Sequence, residues 1–385
     1  MKISKSLLWT ILIIFPLGQL TRLPLNLPMI NLYFHDFLVA ALIFFWLKQK
    51  GIKKITSNKL FKPYLSFLGA GLVSLLINLN NWGWQNSLIG SLYLFRWGAY
   101  FIVYLATLNL KRQEKRFTIN LLILAGWLTA ILGLVQYFVY PDFRSWALFN
   151  WDPHLYRAVG AFFDPGFIGL IYVLTLVLIA LTYWKRLKKL RCKILGWLII
   201  PVYLALALTY TRSAYLALLT AAGIIAWRKK TLKFFLLVAA LLSLTILILP
   251  RRSGIGTKLE RRDSLWARIE NWEQAVKITK NSPLFGVGFN NYRWAQQKAG
   301  YLQKDWQENH AGAGADNSAL FILATTGFIG FFAYFHFTFK MNQVGSLIFT
   351  TSMFSWLIHS FFNNSLFYPW LMIWGWLLLG LASDS

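Results

Sequence analysis

Side chains that could hold an anion and move a proton recur through the second half of the sequence, at Arg157, Asp164, Arg212, Arg268, His310 and Asp316. A guanidinium stays charged and offers a bidentate fork to an anion, and a positioned carboxylate or imidazole can take a proton from a hydroxyl. Each residue also has a plainer reading. Arg212 stands at the mouth between two apolar runs, where it could be a snorkelling interface anchor. Arg268 serves as an anion ligand only if its helix turns it inward; turned to water it is a solvated charge. Asp316 precedes an apolar run, where an acid is also a favoured helix N-cap. His310 can be an ordinary loop histidine. Arg157 and Asp164 bracket Gly160-Ala161-Phe162-Phe163, and a structural ion pair would account for them as well. Arg96 lies about ten residues from either end of its apolar run, and an intramembrane cation is costly enough to mark either a functional position or a pair with a carboxylate such as Asp36.

The elements that must position these groups are membrane helices. Hydrophobic residues make up 57% of the chain, charged residues only 14%, and mean hydropathy is +0.51. Soluble domains carry roughly 25% charged residues, so the deficit is large. Apolar runs near the ~20-residue spanning length recur along the whole chain. Hydropathy breaks place spans near 7–21, 36–48, 62–79, 87–108, 117–140, 166–184, 194–210, 212–227, 231–249, 317–339, 343–360 and 366–381. The first run has no small-residue cleavage site after it and reads as a retained helix rather than a signal peptide. The expected fold class is all-α, a polytopic membrane protein of about twelve transmembrane helices. Residues 1–250 would hold nine of them, 251–316 a large loop and 317–385 the last three.

A net charge of +26 would suggest nucleic acid in a soluble protein. Here its distribution gives orientation instead. With the N-terminus inside, the N-terminus and cytoplasmic loops hold 23 of the 39 Lys and Arg and one acid, Glu114. That asymmetry follows the positive-inside rule, so no nucleic-acid partner is expected. Apart from Asp384 in the tail, the remaining acids fall on the opposite side with Arg22, Arg144, Arg157 and Arg212. Chemistry that needs both acid–base groups and anion binding could be assembled only there. The single cysteine, Cys192, falls in a basic cytoplasmic loop, which leaves no disulfide for the outer loops and no cysteine zinc site.

Residues 251–316 form the longest polar stretch. After a basic run, Asp263 and Ser264 offer N-caps to a helix over 264–281, in which Leu265, Ile269, Trp272 and Val276 recur at helical spacing. Such a helix could lie along the outer leaflet or pack on the bundle as a lid. Most of the 19 Trp suit the interfacial belt, although Trp82, Trp84, Trp146, Trp151, Trp294 and Trp306 could stack on sugar rings.

Four stretches together resemble the O-antigen ligase and O-antigen polymerase superfamily of membrane glycosyltransferases. They are Leu208-Thr209-Tyr210-Thr211-Arg212-Ser213; Arg268-x-x-x-Trp272 with Ser282-Pro283-Leu284-Phe285-Gly286-Val287-Gly288; Asp316-Asn317-Ser318-Ala319-Leu320 with Ala324-Thr325-Thr326-Gly327-Phe328-Ile329-Gly330; and, more weakly, Arg157 to Pro165. The match covers roughly residues 150–335. The family usually opens the third motif with His-Asn, where this chain has Asp316-Asn317 and a histidine six residues upstream at His310.

The resemblance implies a GT-C-like enzyme of a prokaryotic cytoplasmic (inner) membrane, with both termini cytoplasmic and the large loop extracytoplasmic. Its donor would be a glycan on a polyprenyl (undecaprenyl) pyrophosphate, its acceptor a hydroxyl on a glycan or glycolipid, with membrane lipid as its surroundings and neither cofactor nor metal. Arg212 and Arg268 would neutralise the leaving pyrophosphate, and Asp316 or His310 would act as base. Arg157, Asp164, Arg96, Asn317 and Trp272 would contact substrate. Two other functions compete. A transporter or flippase of lipid-linked glycan or a small anion would also use many spans and a buried arginine, but no internal repeat is evident. A catalytically silent assembly scaffold would tolerate the missing histidine.

Overall fold

The structure is a computed structural model that describes all residues except 1, 26–28, 150, 188–192, 253–254, 303–313 and 383–385. Cys192, His310 and Trp306 lie outside the described residues. The described chain is helical; no β-strand occurs in it, only two isolated bridges, Arg22 with Tyr33 and Asp142 with Leu155. In order come α1 (Lys2–Ile14), which continues as a 3-10 turn to Thr21, α2 (Phe34–Lys50), α3 (Lys53–Thr56), α4 (Phe61–Ile77), α5 (Leu79–Ala99) and α6 (Phe101–Leu108). Next are α7 (Arg112–Val139), α8 (Pro165–Thr182), α9 (Trp184–Leu187), α10 (Lys193–Ala207), α11 (Arg212–Lys229) and α12 (Leu232–Ile248). The loop carries α13 (Asp263–Asn281) and α14 (Tyr292–Lys298), and the chain closes with α15 (Ser318–Val344), α16 (Leu347–Ser360) and α17 (Pro369–Ala382).

A helix lies at every hydropathy peak. By length and composition five are able to cross a membrane: Ile3–Thr21, Leu79–Leu108, Arg112–Val139, Pro165–Thr182 and Ser318–Val344. Shorter apolar helices cover Phe61–Ile77, Leu195–Ala207, Leu232–Ile248 and Pro369–Ala382. Among the five, α8 is the most enclosed, wrapped by α7, α10, α11 and α16. Elsewhere α4 packs on α15, and α6 on α17.

Two of the sequence motifs turn out to interlock. Within α15, Gly327 adopts φ 63 and ψ −168, which breaks the helix. A broken helix in an apolar surrounding must have its backbone groups paired elsewhere. The Ser282–Gly288 loop does this. Its Val287 and Gly288 amides donate to the carbonyls of Ala324 and Thr325 at 2.9 and 3.0 Å, and the Phe328 amide donates to Pro283 O at 2.8 Å. Asn78 Nδ2 donates to Gly286 O at 2.9 Å and Ser74 Oγ to Thr325 O at 2.7 Å, so α4 clamps the same joint. A Cβ on Gly327 would stand 2.2 Å from Leu284 O, in a backbone region only glycine enters freely. Gly327→Ala should therefore cost about 2 kcal/mol or more, read as a lower apparent melting temperature of the purified protein. These glycines build the support beneath the site and contribute no reacting group.

Candidate active site

Four helix N-termini meet at one end of the bundle. The Thr209–Thr211 turn joins α10 to α11 with Tyr210 left-handed at φ 51, and its strain is held by Tyr210 Oη donating to Pro250 O at 2.8 Å. Thr211 Oγ1 donates to Pro165 O at 3.0 Å, which ties the start of α11 to the start of α8. Ser213 on α11 accepts from Asn363 Nδ2 at 2.9 Å, and Ser318 at the start of α15 donates to Asn364 Oδ1 at 3.2 Å. The turn after α16 thus anchors α11 and α15. The start of α13 joins through Arg212, whose guanidinium donates to Ser264 Oγ at 2.8 Å and to the carbonyls of Leu259 and Arg261.

Arginines collect where these ends converge. Arg157 donates from Nε to Thr209 O at 2.8 Å and from a terminal nitrogen to Thr211 Oγ1 at 3.1 Å. Burial first, and then the positive charge of Arg261, push its guanidinium below its ordinary value; Arg268 adds to this and Asp164 opposes it. Arg261 is lowered by burial and then by Arg212 and Arg268. Arg268 is lowered by burial, with Asp316 and Asp164 working against Arg212. These shifts link Arg157, Arg212, Arg261 and Arg268 into one group. Among the described residues none of the four is in an ion pair. Crowded, partly buried cations outside any ion pair could receive an anion.

Asp316 borders this group. Its amide donates to Asn271 Oδ1 at 2.7 Å and its carbonyl accepts from Trp272 Nε1 at 3.3 Å, so α13 holds the backbone from both sides. The cap of α15 is supplied instead by Asn317, whose Oδ1 accepts from the amides of Ala319 and Leu320 at 2.9 and 3.1 Å. Asp316 is exposed and left free to accept a proton. The surrounding protein raises its carboxyl above the usual range; Arg268 opposes that rise and Asp152 adds to it.

The other expected residues sort clearly. Asp164 caps α8, accepting from Gly166 N at 2.7 Å and Phe167 N at 2.8 Å, and no Arg157–Asp164 ion pair forms. Arg96 stands apart. It pairs with Asp36 at 2.9 Å, donates to Asn31 O, and lies over Tyr33 and Tyr93, while Tyr100 donates to the same carboxylate at 2.6 Å. Trp272 acts through its indole N–H on the Asp316 backbone. The helix over 263–281 forms, but Arg262 is its N-cap residue and no side chain caps it; Ser264 is taken up by Arg212. It seats Ala275, Ile278 and Thr279, packs on α15 with Trp272 beside Phe362, and leaves Leu265, Trp266, Ile269 and Val276 exposed.

Several contributors lack a sequence signal. Arg261 reads as one charge of a basic run, and Asp152 as a loop acid. His359 is fully buried at the end of α16, with Nε2 3.1 Å from Gly166 O and Nδ1 3.2 Å from Ser365 Oγ. A carbonyl can only accept, so the tautomer with its proton on Nε2 fits Gly166 O and lets Nδ1 accept from Ser365, while Asn363 Nδ2, 3.3 Å from Nε2, bonds to Ser213 instead. Only its place inside an apolar run could have singled it out.

A family model described as O-Antigen ligase matches residues 194–335. The matched segment runs from α10 through the first two thirds of α15 and contains Arg212, Arg261, Arg268 and Asp316. No curated protein matches the chain.

Proposed function

We propose, for a chain whose residues 194–335 match an O-antigen ligase family model, a membrane glycosyltransferase that moves a glycan from a polyprenyl pyrophosphate to an acceptor hydroxyl. The observation that carries this reading is the group of four arginines without ion pairs beside the free carboxylate of Asp316. The acceptor oxygen attacks the anomeric carbon and forms the new glycosidic bond. The bond from that carbon to the phosphate oxygen breaks, and the pyrophosphate leaves with the electron pair. The acceptor proton passes to Asp316, whose raised pKa suits a base. Arg212, Arg261 and Arg268 stabilise charge developing on the leaving group, a role that fixed cations fill without a metal. Arg157 holds the turn that sets Arg212 in place and adds to the field.

In this reading all twelve apolar segments cross the membrane and the site faces outward from a cytoplasmic membrane. The charge asymmetry supports that orientation. The exposed stripe of α13 would rest at the outer leaflet, where a lipid-linked donor presents its pyrophosphate. The transport reading drew on many spans and a buried arginine; Arg96 pairs with Asp36.

The test is transfer by the purified protein reconstituted with lipid-linked glycan and acceptor extracted from the producing cells. The proposal expects acceptor to gain glycan as free polyprenyl pyrophosphate appears, with chelator present. Movement of the intact lipid-linked glycan across the bilayer without transfer would contradict it.

A further inference from the structure

A second charged site lies at the other end of the bundle. The candidate active site surrounds the start of α8, and this one opens at its last turn, about 27 Å away for an eighteen-residue helix. There a cleft of about 790 Å³ is lined by Arg116 of α7, Lys185 of α9 and Lys229 of α11. Three cations from three helices face one space, with no acid among the described residues of its lining. The nearest acid along the chain, Glu114, is already taken: it accepts from Lys5 at 2.7 Å and from the Lys111 amide at 2.9 Å. The remaining wall includes Ile119, Leu181 and Trp184, the last edge-on to Phe234 at 5.1 Å.

Phosphate chemistry fits the cations, and an acyl chain fits Ile119 and Leu181 beside them. An indole at such a border is typical of headgroup level. A soluble anion would use the first feature and leave the second idle. We propose that this cleft binds the headgroup of an anionic glycerophospholipid, with the phosphodiester among Arg116, Lys185 and Lys229. The lipid belongs to the leaflet opposite the candidate active site. A basic pocket between helix ends at this level is a physical match for such headgroups. This site is independent of whether the other end transfers glycan.

The experiment uses the full chain in nanodiscs of phosphatidylcholine with increasing phosphatidylglycerol, reading bound lipid by native mass spectrometry and melting temperature in parallel. Wild-type protein should retain phosphatidylglycerol and melt higher as its fraction rises. Each of Arg116→Gln, Lys185→Gln and Lys229→Gln should weaken retention about fivefold, and the three together on the order of a hundredfold. The triple variant should melt like wild type in pure phosphatidylcholine, which separates lost binding from lost folding. The charge-matched control Lys50→Gln, Lys53→Gln and Lys54→Gln should retain lipid as wild type does. Equal loss in the control, unchanged retention in the cleft variants, or displacement of the lipid by millimolar inorganic phosphate would overturn the proposal.

Discussion

Arg268→Ala is expected to lower glycan transfer by a factor of about 10²–10³, corresponding to about 3–4 kcal/mol of lost transition-state stabilisation. Among the four clustered arginines it is the clearest to test. Arg157 and Arg212 hold backbone and hydroxyl groups of the turn and loop, and Arg261 holds the carbonyls of Gly256 and Lys258. Arg268 makes no such bond among the described residues, so its removal should leave the fold intact. Burial lowers its pKa, with Arg212 adding to that and Asp316 and Asp164 opposing it, which marks it as a charge held at a cost. Arg268→Lys should recover only part of the loss, because an ammonium keeps the charge without the planar fork. Steady-state transfer with melting temperature measured alongside checks this. Full activity in Arg268→Ala would remove it from the reaction.

The second large effect concerns Asp316. Asp316→Asn removes the base and should lower transfer by about 10²–10⁴. The pH profile carries more information than the rate. A base works when deprotonated, so wild-type activity should rise with pH through the pKa of Asp316. Desolvation by the surrounding protein lifts that pKa above the usual carboxylate range, so the rise should sit higher than an ordinary aspartate would give. In Asp316→Asn this acid limb should vanish. Asp316→His, which puts an imidazole in place of the carboxylate, should keep substantial transfer with the limb moved toward the imidazole range. An unchanged limb in Asp316→Asn would assign the base to another group.

The helices were largely legible because each apolar run must satisfy its own backbone, and a run of that length leaves few other solutions. Capping was less legible. Asp316 and Asn317 are both good N-caps, and sequence alone does not say which one closes α15; the grip of Asn271 and Trp272 on Asp316 decides for Asn317. Arg96 is the opposite case. An intramembrane arginine calls for a carboxylate, the sequence offers Asp36 sixty positions away, and the pair forms where α2 meets α5. The Ser282–Gly288 and Ala324–Gly330 stretches, which carry part of the family resemblance, are two halves of one backbone joint. Their glycines signal close approach, but not to what. Arg261 and His359 were missed for opposite reasons. Arg261 is one cation among many, and His359 has partners, Gly166 and Ser365, that only the fold supplies.

The most direct measurement is a cryo-EM map of the protein with a polyprenyl pyrophosphate glycan bound. Pyrophosphate density within hydrogen-bond distance of Arg212, Arg261 and Arg268, with the anomeric carbon on the Asp316 side, is the predicted result. Density seated instead at the Asp36–Arg96 pair in the cavity between α2 and α5, with the arginine cluster empty, would contradict it.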